Sequence, residues 1–282
     1  MKRFFITNLC VIGLILMTSG NSFAGSVLDE ILAKGRIVVS TDVNYAPQSF
    51  LNDKGELEGF DISVAKEVAK RLGVKVRFIT PDWDLITAGK WGKRWDLSIG
   101  SMTPTKERKQ ALLFTIPYYG SPAQFAVHKS NTSIKSINDL AGKVIGVAGE
   151  TTNERYLNRD LEIENVSITY QNWSPGELRT YPTDANHIED LVLGDGARLD
   201  AVFTSKQTLA NAIREGCGNG CPLRMLGEPP YFEPLCFAMD KSRANSDSMI
   251  NKLNEIIQSM YDDGTLVNLS MRFFKTNLIP KL

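Results

Sequence analysis

The feature that most constrains this chain is a repeated alternation of short β-rich runs with amphipathic helical spacing. Arg36–Ser40 (RIVVS) is a β-rich run. From Asp61 onward, Ile62, Ala65, Val68, Ala69 and Leu72 recur at helical intervals, and Gly73 ends the series. Val74–Thr80 is the next strand, followed by Trp95–Gly100 (WDLSIG), Val144–Val147 and Leu199–Thr204 (LDAVFT), the last two each leading into a turn and a predicted helix. A final helix carries Met249, Ile250, Leu253, Ile256, Ile257, Met260 and Tyr261 on one face, with Gly264 beyond its end. Such alternation predicts an α/β architecture with helices on both faces of the sheets. The 258 residues from Gly25 onward suit two α/β lobes better than one sheet.

The first segment reads as a secretory signal peptide. Lys2 and Arg3 precede an apolar stretch from Phe4 to Met17, Thr18–Asn21 is polar, and Ser22-Phe23-Ala24 is a small-x-small cleavage signal before Gly25. The apolar core is short of the roughly 20 residues a membrane span needs. Cys10 lacks the Leu-x-Gly context of a lipidated cysteine. The expectation is a soluble protein exported to the periplasm. The 32 basic and 32 acidic residues balance, and loss of residues 1–24 removes only Lys2 and Arg3, leaving about −2. That balance excludes a nucleic-acid surface, which needs a basic excess. Cys217, Cys221 and Cys236 remain in the exported chain, where an oxidising compartment favours a bridge. A Cys217–Cys221 staple is expected, with Cys221–Cys236 as its competitor.

Sequence signatures of catalysis are missing: no GxSxG, Walker loop, GxGxxG after a strand, or HExxH. His128 and His187 stand apart with no partner pattern, so no metal or cofactor is expected. The strand-to-helix turns are more informative, because ligands of open α/β sheets bind beyond the carboxyl ends of strands. One turn runs from Ser101 through Met102-Thr103-Pro104-Thr105 to Arg108; another is Ala148-Gly149-Glu150-Thr151-Thr152-Asn153. Both look built to hold an anion such as a carboxylate, which an arginine grips bidentately. On spacing alone, Arg108 is equally an exposed helix charge. Tyr45 and Trp83 suit either an apolar cleft or a core.

Taken together, several segments resemble the extracellular solute-binding proteins of family 3, the polar amino acid receptors of ABC importers. They are Asp42…Tyr45-x-Pro47, Gly59-Phe60-Asp61, Trp95–Thr103 with Glu107-Arg108, Phe114-Thr115-x-Pro117-Tyr118-Tyr119, Asp139-Leu140-x-Gly142-Lys143-x-Ile145-Gly146-Val147, Leu199-Asp200-Ala201-Val202 and Asp263-Gly264-Thr265. The resemblance implies a bilobal type II periplasmic-binding fold with crossovers near Tyr119–Gln124 and Tyr231–Leu235. Residues 25–121 and 233–282 would form a discontinuous lobe 1, and residues 122–232 lobe 2. It further implies that Tyr45 and Trp83 cover the ligand side chain and that Ser101 and Thr103 supply backbone and hydroxyl contacts. Arg108 would pair with the α-carboxylate, and Thr151 and Thr152 would complete that site.

Two departures bear on the ligand. Ser205 stands where the family usually places the aspartate that binds the α-ammonium, and Glu150 replaces the usual glycine of the lobe 2 turn. Glu150 is expected either to take over the ammonium role or to signal a ligand other than a standard α-amino acid. The stretch from Gln171 to Asp190, with Trp173, Tyr181, Asp184 and His187, is longer than usual and is read as a surface excursion. The expected function is that of a monomeric receptor that captures a small carboxylate-bearing ligand and delivers it to an ABC permease. The alternatives are a ligand-free accessory or sensory role, as in alcohol-oxidation systems, or a cyclohexadienyl-type dehydratase.

Overall fold

The computed structural model describes residues 25–215 and 220–280; the expected leader and Cys217 lie outside them. The chain begins with α1 (Val27–Lys34), β1 (Arg36–Ser40), β2 (Asn44–Tyr45), β3 (Ser49–Leu51), β4 (Leu57–Glu58), α2 (Phe60–Leu72), β5 (Lys75–Ile79) and α3 (Trp83–Thr87). It continues through β6 (Leu97–Met102), α4 (Arg108–Ala111), β7 (Leu112–His128), a 3-10 turn at Ile137–Leu140, β8 (Val144–Ala148), α5 (Thr152–Asn158) and β9 (Glu177–Tyr181). The remainder is α6 (Asp184–Val192), β10 (Ala201–Ser205), α7 (Lys206–Glu215), β11 (Leu223–Leu226), β12 (Phe232–Asp240), α8 (Asp247–Asp262) and α9 (Thr265–Phe274).

Local chemistry accounts for the boundaries. Ser26 and Asp29 exchange the two hydrogen bonds of a capping box at the start of α1. Ahead of α2, Gly59 has φ 130°, and a Cβ there would lie 2.3 Å from the Gln48 carbonyl oxygen, so the position demands glycine. The apolar stripe predicted from Ile62 to Leu72 is buried.

The strands run in the order β5-β1-β6-β12-β7-β10-β8-β9, with β11 also pairing β7 and a small β2-β3-β4 sheet apart. The order passes from one lobe to the other through β7, whose 17 residues pair first with β12 (Leu112↔Asp240 to Pro122↔Phe232) and then with β10 and β11. Each lobe has its own core. In the first, Ile37, Phe60, Leu97, Tyr118, Phe237, Ile257 and Phe274 pack together, with Trp91 and Trp95 on the other side of the sheet. In the second, Phe125, Val147, Tyr156 and Phe203 cover one face, while Ala126, Ile188, Leu191 and Val202 cover the other. Full burial of each large side chain contributes about 1.5–3 kcal/mol, so both lobes are internally supported. This is the α/β architecture that the alternation predicts, in the two-lobed form with two crossover strands that the resemblance implies.

One of the two expected disulfide pairings is corrected: Cys236 is a free thiol buried on β12, which removes Cys221–Cys236. The expected Cys217–Cys221 staple lies outside the described residues, because Cys217 does. Among the described residues, no helix is long and apolar enough to cross a membrane, and no cluster of three or more metal-ligating side chains forms.

Candidate functional site

The cleft between the lobes is built by register. Parallel strands β8 and β9 are aligned Val144↔Glu177 to Ala148↔Tyr181, so their carboxyl ends finish level. The Gly149 amide then donates to the Tyr181 carbonyl (2.9 Å), which places the Gly149–Asn153 turn beside Pro182–Asp184. On the other lobe, the ends of β1 and β6 bring Thr41, Asp42, Ser101 and Thr103 to the opposite wall. The cavity between the walls is about 70 Å³, and Tyr45, Trp83, Arg108, Thr151, Thr152, Asp184 and Glu233 also line it.

Arg108 is the first residue of α4 and is only 8% exposed. Its Nη1 donates to the Thr103 carbonyl (3.1 Å) and its Nη2 crosses the cleft to the Glu150 carbonyl (2.7 Å). The guanidinium also lies 5.2 Å from the centre of the Trp83 ring, whose Nε1 donates to the same Glu150 carbonyl (3.1 Å). Burial pushes the Arg108 pKa down to about 10, opposed by the nearby Glu233 carboxylate, so the group stays cationic at neutral pH. Each Nη carries a second N–H, so a buried arginine anchored through one proton of each arm still has donors for a carboxylate.

Glu233, on β12, is the group the sequence reading missed. It is buried between the lobes and accepts from Thr103 Oγ1 (2.6 Å) and Thr152 Oγ1 (2.7 Å), tying one wall to the other. Burial raises its pKa, opposed by those two hydroxyls and by Arg108. The signal was an acidic residue inside the extended run Tyr231–Leu235, where a solvated charge has no place.

The predicted residues divide by what their side chains do. Thr103 and Thr152 are joined through Glu233, as described. Thr151 Oγ1 donates to the Ala148 carbonyl (2.7 Å) and accepts from the Glu154 amide (3.3 Å), capping α5. Ser101 lines the cleft with its hydroxyl turned inward, donating to Asp61 Oδ2 (2.7 Å) and accepting from the Tyr119 hydroxyl (2.6 Å). Tyr118 donates to Asp61 Oδ1 (2.6 Å) and completes this buried floor. Burial raises the phenol of Tyr45 well above its ordinary value, with Asp184 adding to the effect. Ser205 is buried below the cleft, where its Oγ accepts from Gln48 Nε2 (3.2 Å) and bonds Thr208 Oγ1 (2.8 Å).

Glu150 is the clearest departure from expectation. Its backbone carbonyl faces the cleft, but its side chain is 56% exposed and turns to Arg155 (3.6 Å). The residue has φ 57°, a left-handed conformation that aims the carboxylate outward. The Gln171–Asp190 stretch also departs: it is not a mere surface excursion, because Pro182, Thr183 and Asp184 form part of the cleft wall. At the rim, Arg155 pairs with Glu107 (2.6 Å) and Lys106 with Glu162 (2.7 Å), exposed contacts that hold the walls together with little energy each.

Comparison with known proteins agrees with this geometry. Residues 37–276 match the family model described as bacterial extracellular solute-binding proteins, family 3. The chain is similar to the L-cystine-binding protein TcyJ of Escherichia coli (strain K12), 30% identical over 93% of this chain and 92% of that one. Among solved structures it is similar to an ancestral amino acid-binding protein described as a precursor of cyclohexadienyl dehydratase, with TM-score 0.74, 32% identity, and coverage of 88% of this chain and 100% of that one. It is also similar to an ancestral arginine-binding protein bound to arginine, with TM-score 0.71, 30% identity, and coverage of 85% and 98%. With a family match over most of its length and a two-lobed fold closed around one buried arginine, this chain belongs to the bacterial extracellular solute-binding proteins, family 3, and is a periplasmic binding protein rather than an enzyme.

Proposed function

We propose that this protein captures a small amino acid or related carboxylate in the periplasm and delivers it to the permease of an ABC importer. The observation that carries this reading is Arg108, buried and cationic between the lobes, flanked by Trp83 and bonded to carbonyls of both walls. In the proposed division, residues 25–121 and 233–282 form lobe 1 and residues 122–232 form lobe 2. Arg108 is the carboxylate's partner, and Tyr45 and Trp83 cover the ligand's side chain. Ser101, Thr103, Thr151 and Thr152 shape the polar walls and fix closure. Closing the lobes excludes water, which strengthens each polar contact made to the ligand.

The empty ammonium position at Ser205 favoured a ligand-free accessory role. The acids Asp184 and Glu233 in the cleft remove that reason, since a carboxylate is available to an amine after all. The test is a thermal-shift screen of the individual L-amino acids, followed by titration calorimetry of those that stabilise the protein. Arg108→Ala is expected to stay folded and to lose more than tenfold in affinity. Unchanged binding overturns the reading.

A further inference from the structure

We propose that Asp184 is the acceptor for the ligand's α-ammonium, in the role that Ser205 cannot fill, and that the ligand carries a further positive charge. The proposal rests on the receptor reading above and adds the amine site and the charge class of the ligand.

Asp184 opens α6 immediately after the Thr183 cap, and its side chain is 12% exposed. It lines the cleft together with Tyr45, Asp42 and Arg108. His187, one turn further along, is fully buried and its Nε2 lies 2.8 Å from Asp184 Oδ1. A carboxylate oxygen accepts only, so the ring donates through Nε2–H, and its Nδ1 has no hydrogen-bond partner. His187 is therefore committed to one task, holding Oδ1, while Oδ2 accepts no hydrogen bond from the described residues. An ammonium has three donors to place, and a carboxylate oriented by one buried donor is prepared to take one. The helix start adds a favourable field for the ionised acid.

Charge balance extends the argument to the rest of the ligand. Among the described residues, the cleft is lined by three carboxylates, Asp42, Asp184 and Glu233, and by Arg108 as its one cation. Burial raises the pKa of Asp42 and Glu233, and the charge of Asp184 pushes both further. A carboxylate on the ligand adds another negative charge, and an α-ammonium offsets only that one. A second cationic group relieves the surplus, and in a closed, poorly solvated cleft like charges repel strongly. The chemistry favoured is that of a basic amino acid.

Titration calorimetry on the exported protein tests this with four probes: L-lysine, L-norleucine (no side-chain ammonium), 6-aminohexanoate (no α-ammonium) and cadaverine (no carboxylate). The wild type is expected to bind L-lysine at least tenfold tighter than L-norleucine. Asp184→Asn is expected to weaken L-lysine at least tenfold and 6-aminohexanoate less than threefold. That ratio is internal to one variant, so a general loss of folding does not mimic it. Equal binding of L-lysine and L-norleucine overturns the charge class, and equal losses for L-lysine and 6-aminohexanoate overturn Asp184 as the α-ammonium acceptor. Cadaverine binding as tightly as L-lysine breaks the carboxylate reading of Arg108 alone, and the Asp184→Asn ratio still decides the amine site. No binding of any probe overturns the charge class.

Discussion

The two strand-to-helix turns that face each other across the cleft have the same backbone device and opposite side-chain fates. At the end of β6, Ser101 has φ 54°; after β8, Glu150 has φ 57°. Both are non-glycine residues in the left-handed region, a conformation that costs roughly 1–2 kcal/mol. At Ser101 the side chain repays that cost, because its hydroxyl sits inside a buried network with Asp61, Tyr118 and Tyr119. At Glu150 only the backbone serves: its carbonyl accepts from Arg108 and Trp83, its amide donates to Glu154 (2.7 Å), and the carboxylate is left in solvent. The same strain thus fixes a side chain in one lobe and a carbonyl in the other. Residue type alone overstates the importance of the second.

The contrast breaks most visibly through pH. Burial raises the Asp61 pKa from its ordinary 3.8 to about 7, opposed by its bonds from Tyr118 and Ser101. The folded state then holds a proton that the unfolded chain releases, so this stability is present below about pH 4 and is lost as pH rises through 7. At about 1.4 kcal/mol per unit, the loss is on the order of 2–4 kcal/mol. Urea unfolding at pH 5 and pH 8 should show a fall of that size that is flattened in Asp61→Asn. A parallel fall in the variant assigns the effect elsewhere.

Ser101→Ala strands the Tyr119 hydroxyl and removes one donor from Asp61, a loss of about 1–3 kcal/mol. Denaturant midpoints measure it, and a change below experimental error means the floor rearranges freely. The Glu150 turn should behave in the opposite sense. Glu150→Gly relieves the left-handed strain and is expected to leave stability unchanged or raise it by up to about 1 kcal/mol, with less than a twofold change in affinity. A large loss of affinity there would show that the carboxylate, and not the carbonyl, serves the ligand.

Much of this was legible in the chain because the signals are local. Helical and strand periodicity need only neighbouring residues, and they mark α2, α8 and the strands β1, β6, β8 and β10. The turn after WDLSIG ends in an arginine, and that arginine is the buried cation of the cleft. Acidic residues were harder. Glu150 sits in the right turn, but its exposure follows from one dihedral angle that residue identity does not reveal. Of the two cysteine pairings that compartment chemistry and spacing offered, the buried free thiol of Cys236 removes Cys221–Cys236, and Cys217–Cys221 lies outside the described residues.

The sequence by itself determined an α/β chain with two anion-suited turns, since periodicity and turn chemistry are each written within a few residues, and it left Arg108 divided between an exposed helix charge and a cleft cation. Only the tertiary structure decided which acids meet that arginine. Asp184 reaches the cleft because β9 runs parallel to β8 in a register that ends both strands together. Glu233 reaches it because β12 crosses between the lobes beside β7. Pairing of distant strands sets both positions, and no local pattern encodes which loops a sheet order will bring face to face.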